Sequence, residues 1–192
     1  LAGLASQVSM NLGAGFAKQL FPMLGSLGVT SLRISLAALM LLALHRPWRR
    51  PVSRAILPAL MLYGTMLGLM NLFYYQALAR LPIGIATGLE VMGPLAVVLM
   101  SSRRVQDFLW LGVALLGLAL LLPLRAHDAR DPVGIAFALG AAACWAFYII
   151  NGKRVSEPLG GDAVAWGMLV SAIVTLPMGL ATSGTALFTP WA

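Results

Sequence analysis

The sequence predicts an all-α protein that crosses a membrane several times. Of its 192 residues, 60% are hydrophobic and 10% are charged, and the mean hydropathy is +0.89. Soluble domains carry roughly 45–50% apolar and about 25% charged residues. Seven hydrophobic runs follow one another, separated by short turns that are charged or rich in Pro and Gly. Each run must be a helix, because an open strand cannot pair its backbone groups in lipid.

The seven runs are close in length to the roughly 20 residues that a helix needs to cross about 30 Å of hydrocarbon. In chain order, runs 1 to 7 cover about 1–20, 29–44, 55–79, 81–100, 108–124, 133–150 and 163–182. Runs 2 and 5 are short, so we expect them to tilt little or to thin the bilayer locally. Two pairs of glycines have the spacing that lets membrane helices approach closely. They are Gly64 and Gly68 in run 3, and Gly84 and Gly88 in run 4.

The distribution of Lys and Arg predicts which side of the membrane each loop faces. Eight basic residues fall in the loops after runs 2, 4 and 6: Arg46, Arg49, Arg50, Arg54, Arg103, Arg104, Lys153 and Arg154. Four fall on the opposite side: Lys18, Arg80, Arg125 and Arg130. The richer side should be cytoplasmic, which places the N-terminus inside. These loops explain the net charge of +7 without a nucleic-acid partner. We expect the first loop to contact anionic lipid headgroups through its four arginines.

Run 4 contains one acidic residue, Glu90, near the middle of the membrane. A charge at that depth costs roughly 2.5–3.5 kcal/mol on insertion scales, and such residues usually handle ions, protons or substrate. Pro94 lacks the N–H that would bond the Glu90 carbonyl, and Gly93 beside it eases bending. We therefore predict a kink in the helix at the acid. The alternative is a structural acid that pairs with a cation elsewhere, for which Lys18 is a candidate.

The other polar residues inside the runs extend the candidate site. Gln7 and Asn11 share one face of run 1, with Lys18 on nearly the same stripe, while Asn71 and Tyr75 share a face of run 3. The amides have a structural alternative as hydrogen bonds between helices. For Tyr75 the structural alternative is a place in the aromatic belt at the membrane interface. For Lys18 it is a side chain that extends along the helix to reach the interface. The predicted substrate and proton site comprises Glu90, Gln7, Asn11, Lys18, Asn71, Tyr75, Trp145 and Tyr148.

Residue counts and motifs argue against several other chemistries. The one cysteine, Cys144, excludes an intrachain disulfide and a Cys-rich metal site, and the two histidines flank different runs. No hydrolase, kinase, phosphate-loop or zinc-protease motif is present, so we predict no enzyme, no cofactor and no metal site. Arg33, in the first turn of run 2, is predicted to anchor at the membrane interface. A carboxylate with amides, tyrosines and a lysine suits a small zwitterion, and a protonatable Glu90 would couple its transport to protons.

A weak internal repeat relates the segment at the end of run 1 to the segment at the end of run 6. Each is a helix that closes on a small polar and basic cluster, followed by a Pro/Gly turn and another apolar helix. The two copies are separated by five spans, so the second enters the membrane upside down, as in many secondary transporters. We therefore assign residues 1–126 to a first five-helix repeat and 132–192 to two helices of a second. The chain is expected to be part of a longer protein.

Several stretches resemble the EamA-type transporters of the drug/metabolite transporter superfamily. LRISLAALMLLAL is similar to their second helix, NLFYYQALARLPIGIATGLEVMGPLAVVLMSSRR to their third and fourth, and GAAACWAFYIINGKR to their sixth. The resemblance covers essentially the whole chain. It implies ten helices in two inverted repeats of five, both termini in the cytoplasm, and a central cavity with alternating access. It also implies export of small amino acids, of the threonine and homoserine type, across the bacterial inner membrane by proton antiport.

Two alternatives stay open beside this function. The first is an EamA-type exporter of another metabolite or of a cationic drug, which aromatic residues around Glu90 would favour. The second is a membrane subunit that does not transport. The sequence leaves open the exact substrate, the coupling ion and the choice between monomer and homodimer.

Overall fold

The computed structural model describes residues 19–49, 52–101 and 131–184, with short pieces between residues 12 and 17 and between 108 and 120. Five helices in these ranges are long and apolar enough to cross a membrane. They are α1 (Phe21–His45), α2 (Leu57–Arg80), α3 (Ile83–Ser101), α4 (Pro132–Leu159) and α5 (Asp162–Ser183). They confirm runs 2, 3, 4, 6 and 7. Runs 1 and 5 lie largely outside the described residues, so seven spans and two five-helix repeats stay predictions.

Helix α1 starts eight residues earlier than the sequence suggested, at Phe21 instead of residue 29. We had assigned the Pro/Gly segment before residue 29 to a turn. Pro22 instead stands in the first turn of the helix, where its missing N–H costs no hydrogen bond. Gly25 adopts φ 67° and ψ 163° inside the helix, a break that glycine tolerates because it has no Cβ. The helix ends where Arg46 turns left-handed and its N–H bonds the Leu42 carbonyl at 2.9 Å.

The turn between α2 and α3 is short because Pro82 holds the residue before it extended. Leu81 has φ −117° and ψ 153°, and its N–H bonds the Ala77 carbonyl at 2.8 Å. Leu81 is 1% exposed and belongs to a hydrophobic cluster with Leu78, Ile85 and Ala138. The ends of α2, α3 and α4 are thereby packed together at this end of the bundle.

Helix α4 runs nine residues beyond the predicted end of run 6 and finishes at Leu159. It begins after Asp131, whose carboxylate accepts a hydrogen bond from the Val133 N–H at 2.9 Å. It continues through Lys153 and Arg154, which the sequence placed in a loop, and it contains Pro158 near its end. The stop comes at Gly160, with φ 57°.

Helix α2 lies at the centre of the described bundle and contacts all four other helices. Its glycines allow the close approach to α5 that their spacing predicted. A Cβ on Gly64 would collide with Val170, and one on Gly68 would press against Ser171. In α3, Gly93 is equally tight, since a Cβ there would collide with the Ala142 backbone of α4. Gly84, in contrast, has no atom of the described residues within 4 Å of an added Cβ.

Candidate functional site

Glu90 lies at the middle of α3 on the face that is turned into the bundle. The residue is 8% exposed and shares that face with Ala86 and Gly93. No salt bridge to Glu90 is formed by any residue that the structure describes. Helix α3 is continuous from Ile83 to Ser101 and contains Pro94, while the kink that we predicted at Gly93 and Pro94 stays a prediction. A carboxylate in this position is shielded from lipid and has its charge available for a ligand.

Tyr74 of α2 interacts with residues of both α3 and α1. Its hydroxyl is 2.9 Å from the Thr87 hydroxyl, one turn before Glu90 on α3. Both Glu90 and Arg33 are close enough to act electrostatically on the Tyr74 side chain. Tyr74 therefore stands between an acid on α3 and a base on α1, and its hydroxyl group fixes the ring against α3.

Arg33 lies in the first half of the helical stretch that runs from the break at Gly25 to His45. It lies twelve residues from each end of Phe21–His45, so the interfacial anchor predicted for its place in a first turn does not match this position. Its guanidinium carbon is 5.2 Å from the centre of the Tyr75 ring, a cation–π distance. The signal that could have identified Arg33 is its charge in the otherwise apolar segment LRISLAALMLLAL. We had discounted it because of the assumed helix start.

A small cavity of about 40 Å³ lies beside Arg33 between α1, α2 and α5. Asn71 and Tyr75 line it, as the sequence predicted from their shared face, together with Met168 of α5. The Asn71 amide nitrogen donates to the Leu67 carbonyl at 2.9 Å, which leaves its side-chain oxygen as an acceptor. Tyr75 is 1% exposed, and its buried hydroxyl has no hydrogen-bond partner among the described residues. The complete lining is Thr30, Arg33, Ile34, Ala37, Asn71, Tyr75 and Met168.

These residues form one group that we call the Glu90 cluster. Its members come from α1, α2 and α3. Glu90 lies near the middle of α3, whereas Tyr74 and Tyr75 lie six and five residues before the end of α2. The sequence predicted Glu90, Asn71 and Tyr75 and missed the rest. The cluster consists of Arg33, Asn71, Tyr74, Tyr75, Thr87 and Glu90.

Tyr148 is not part of that cluster, although the sequence grouped it with Glu90. Its hydroxyl accepts a hydrogen bond from the Tyr63 hydroxyl at 2.9 Å, and the two rings stack with centres 4.6 Å apart. Tyr63 precedes Tyr74 by eleven residues, which is about 16 Å along a helix. Gly167 of α5 lies so close to the Tyr63 ring that an added Cβ would collide with it. We call Tyr63, Tyr148 and Gly167 the Tyr63 cluster.

Of the remaining predicted site residues, the structure describes only Trp145, which it places in neither cluster. Trp145 is half-buried on α4, three residues after Ala142, the residue that packs against Gly93. Gln7, Asn11 and Lys18 lie outside the described residues, so pairing between Lys18 and Glu90 stays a prediction. Within the described ranges, no group of three or more His, Cys, Asp or Glu residues is placed to hold a metal ion.

Ion pairs mark the two ends of the bundle. Arg80 at the end of α2 lies 3.4 Å from Asp131 at the start of α4, while His45 and Asp162 approach to 3.8 Å at the opposite end. Slight desolvation acts to raise the pKa of Asp131. Hydrogen bonds from the Val133 and Gly134 amides and from Arg80 outweigh it, so this pKa is below its ordinary value. The Asp131 carboxylate thus caps the start of α4 and forms an ion pair with Arg80 at the end of α2.

Comparison with known proteins shows similarity to bacterial transporters along nearly the whole chain. It is 45% identical over 186 residues to the threonine/homoserine exporter RhtA of Escherichia coli K12 and to that of Salmonella typhimurium LT2. These matches cover 96% of this chain and 63% of each relative, so the chain spans less than two thirds of their length. It is also 30% identical over 149 residues to the uncharacterized inner membrane transporter YedA of E. coli K12, covering 74% of this chain and 47% of YedA. No family model and no solved structure matches.

Proposed function

From the homology of this chain to the RhtA exporters, which confirms the transporter resemblance seen in the sequence, we propose that it functions in the export of small amino acids across a bacterial inner membrane. The similarity to RhtA along nearly its whole length is the observation that carries this proposal. The substrate class we propose is that of threonine and homoserine. The described helices agree with the proposal, because five of them are apolar and long enough to cross a bilayer.

In this proposal Glu90 binds the substrate ammonium and protons in alternation. It is buried at mid-span and forms no salt bridge with any described residue, so its carboxylate is available to a cationic group. A proton and an ammonium group both neutralise the carboxylate and therefore compete for it. Proton entry from outside would release the amino acid outward, and proton loss inside would prepare the acid for the next molecule. Export would thus be antiport with alternating access, with the Glu90 cluster facing each side in turn.

The wider architecture belongs to the same proposal. We propose ten helices in two inverted five-helix repeats, with the N-terminus in the cytoplasm. Support comes from the positions of the basic residues. Arg46 and Arg49 follow α1, Arg54 precedes α2, and Lys153 and Arg154 lie in the second half of α4, so all five fall at one end of the described bundle. That arrangement is the one expected for a cytoplasmic face. The arginines at this end would contact anionic lipid headgroups.

The test is export of labelled amino acids from cells. Cells that express the protein would be loaded with labelled threonine or homoserine, beside cells with Glu90→Gln at equal membrane abundance. We expect faster export than in cells lacking the protein, and loss of the gain in Glu90→Gln because an amide cannot exchange a proton or neutralise an ammonium group. Normal export by Glu90→Gln would support the export function but refute the proposed role of Glu90 in substrate and proton binding. Absence of export for every small amino acid would contradict the substrate class.

A cationic drug or another cationic metabolite is the second candidate substrate. The observation that favours it is the ring of Tyr74, which interacts electrostatically with Glu90 and lies 5.8 Å from the ring of Tyr75, nearly perpendicular to it. Rings next to a carboxylate suit a lipophilic cation. Resistance assays with a panel of cationic drugs separate this candidate from the first. Drug resistance without amino-acid export would favour this candidate. If the protein showed neither activity, the remaining alternative would be a membrane subunit that does not transport.

A further inference from the structure

Arg33 is a permanent cation in the first half of the helical stretch that runs from the break at Gly25 to His45, and its side chain is exposed among the described residues. Its guanidinium lies over the Tyr75 ring, and none of the residues that the structure describes forms a salt bridge with it. A charge inside a membrane span is costly, and in membrane proteins it usually faces a polar cavity or a partner. The cation–π contact with Tyr75 stabilises the Arg33 cation in part. It leaves the N–H groups of the guanidinium without an anionic acceptor among the described residues.

The cavity next to Arg33 is lined by hydrogen-bond donors that are still available. The Tyr75 hydroxyl is buried and has no partner among the described residues, a state that costs free energy unless something fills the cavity. Thr30 is already engaged, because its hydroxyl donates to the Ser26 carbonyl at 2.7 Å. The Asn71 amide nitrogen is engaged with the Leu67 carbonyl. Besides the second N–H of Asn71, the donors that remain for a ligand are the Arg33 guanidinium and the Tyr75 hydroxyl.

We propose that Arg33 and Tyr75 form a carboxylate-binding subsite, which holds the carboxylate of the transported amino acid. The planar guanidinium of arginine matches a carboxylate with two parallel hydrogen bonds, and the tyrosine hydroxyl adds a third donor. A cavity of about 40 Å³ holds one or two waters, which a carboxylate can replace. This inference rests on the proposed export of amino acids and adds to it the residues that recognise the acidic end.

The position of the subsite fits a zwitterion whose other end is directed toward Glu90. Tyr74 is in edge contact with Tyr75 and lies within electrostatic reach of both Arg33 and Glu90. Arg33 thus interacts with Tyr75 and Glu90 with Tyr74, and the cation and the acid do not form a salt bridge with each other in the described structure. A ligand that carries both charges would satisfy both side chains, whereas a simple cation would leave Arg33 without an acceptor.

Transport of threonine and of threonine amide by the purified protein in liposomes tests the subsite. The amide keeps the ammonium group and the side chain and lacks the carboxylate charge. We expect the native protein to prefer threonine by at least about tenfold, the effect of one lost charge-assisted contact. In Arg33→Gln the KM for threonine should rise about tenfold or more while that for the amide changes little, so the preference disappears. Tyr75→Phe should lower the preference a few-fold, and Arg33→Lys should restore part of it.

Arg49→Gln is the matched control, because Arg49 is an exposed arginine in the short 3₁₀ turn Pro47–Arg49 after α1. It should keep the full preference for threonine. An Arg33→Gln protein that folds and keeps that preference would overturn the subsite. If Arg33→Gln does not fold, Tyr75→Phe decides, because it removes one hydroxyl from an otherwise unchanged ring; an unchanged preference there would also overturn it.

Binding separates a failure of the subsite from a failure of the proposed function. Thermal shifts of the purified protein would be measured with threonine, threonine amide and acetate. If the native protein transports no amino acid but is stabilised by carboxylates in an Arg33-dependent way, the subsite stands and the export proposal fails. If amino acids are transported without any Arg33-dependent preference for a carboxylate, the export proposal stands and the subsite is refuted.

Discussion

The Glu90 cluster and the Tyr63 cluster both contain tyrosines of α2, but they use their polar groups differently. In the Tyr63 cluster the two hydroxyls bond each other, the rings stack, and glycine lets α5 press against them. In the Glu90 cluster, Tyr75 has a buried hydroxyl without a partner in the described structure, and Arg33 and Glu90 lack salt bridges there. We propose that this difference reflects two roles: the Tyr63 cluster serves packing, while the Glu90 cluster keeps its charges and donors for a ligand.

Neutralising Glu90 should produce the largest loss of export among the variants that distinguish the two clusters. We expect Glu90→Gln to reduce proton-coupled export by a factor of about a hundred or more, as for a group required in every cycle. Stability should be unchanged or higher, because a buried charge without a salt bridge is removed. Export rates and thermal denaturation of the same preparation check both parts. A variant that lost stability and export together would indicate a structural acid instead.

Enlarging a residue of the Tyr63 cluster should lower stability without changing transport by the molecules that fold. Gly167→Val forces a side chain into the Tyr63 ring, and overpacking of this kind costs about 1–3 kcal/mol. Thermal denaturation and export normalised to folded protein are the measurements. Gly84→Val is the control, because no atom of the described residues lies within 4 Å of a Cβ added there, and it should cost much less. Equal losses for both would mean that the contact with Tyr63 is not tight.

Removing one hydroxyl from the Tyr63 cluster should have a smaller effect. Tyr63→Phe deletes the hydrogen bond to Tyr148, which is worth about 1 kcal/mol, and keeps the stacked ring. We expect a modest loss in thermal stability and normal KM for the exported amino acid. A large rise in KM with unchanged stability would mean that the Tyr63 cluster contacts the substrate. It would contradict the proposal that this cluster serves packing alone.

The smallest expected effect concerns a residue outside both clusters. The pKa of Asp131 is below its ordinary value in the folded protein, through the Val133 and Gly134 amides and Arg80. A lowered pKa stabilises the fold above the pKa of the unfolded chain, and this contribution is lost as pH falls through the folded value. The native protein should therefore lose a small part of its stability as the pH falls through this pKa, and Asp131→Asn, which lacks the titrating carboxylate, should flatten the acid limb slightly. An identical acid limb in Asp131→Asn would contradict the cap.

The sequence was sufficient for the elements and for the acid, since five apolar runs became helices and Glu90 is buried at mid-span. It was not sufficient for Arg33, because helical residues precede and follow the break at Gly25, so Arg33 does not lie in a first turn at residue 29. The structure places Tyr148 beside Tyr63 and outside the Glu90 cluster, for a different reason. The register of α4 against α2 is decided by tertiary packing, such as the contact of Gly93 with Ala142, which hydrophobic periodicity does not reveal. Residue type thus predicted which side chains are functional candidates, while their grouping required the structure.

Proton release on substrate binding tests the central claim most directly. Purified protein in weakly buffered solution, at a pH where Glu90 is partly protonated, would be mixed with threonine beside a pH indicator. The account predicts that threonine releases protons from the native protein and not from Glu90→Gln, because ammonium and proton compete for one carboxylate. Threonine that binds to the native protein across the whole accessible pH range without proton release would contradict the proposal that Glu90 couples amino-acid export to protons.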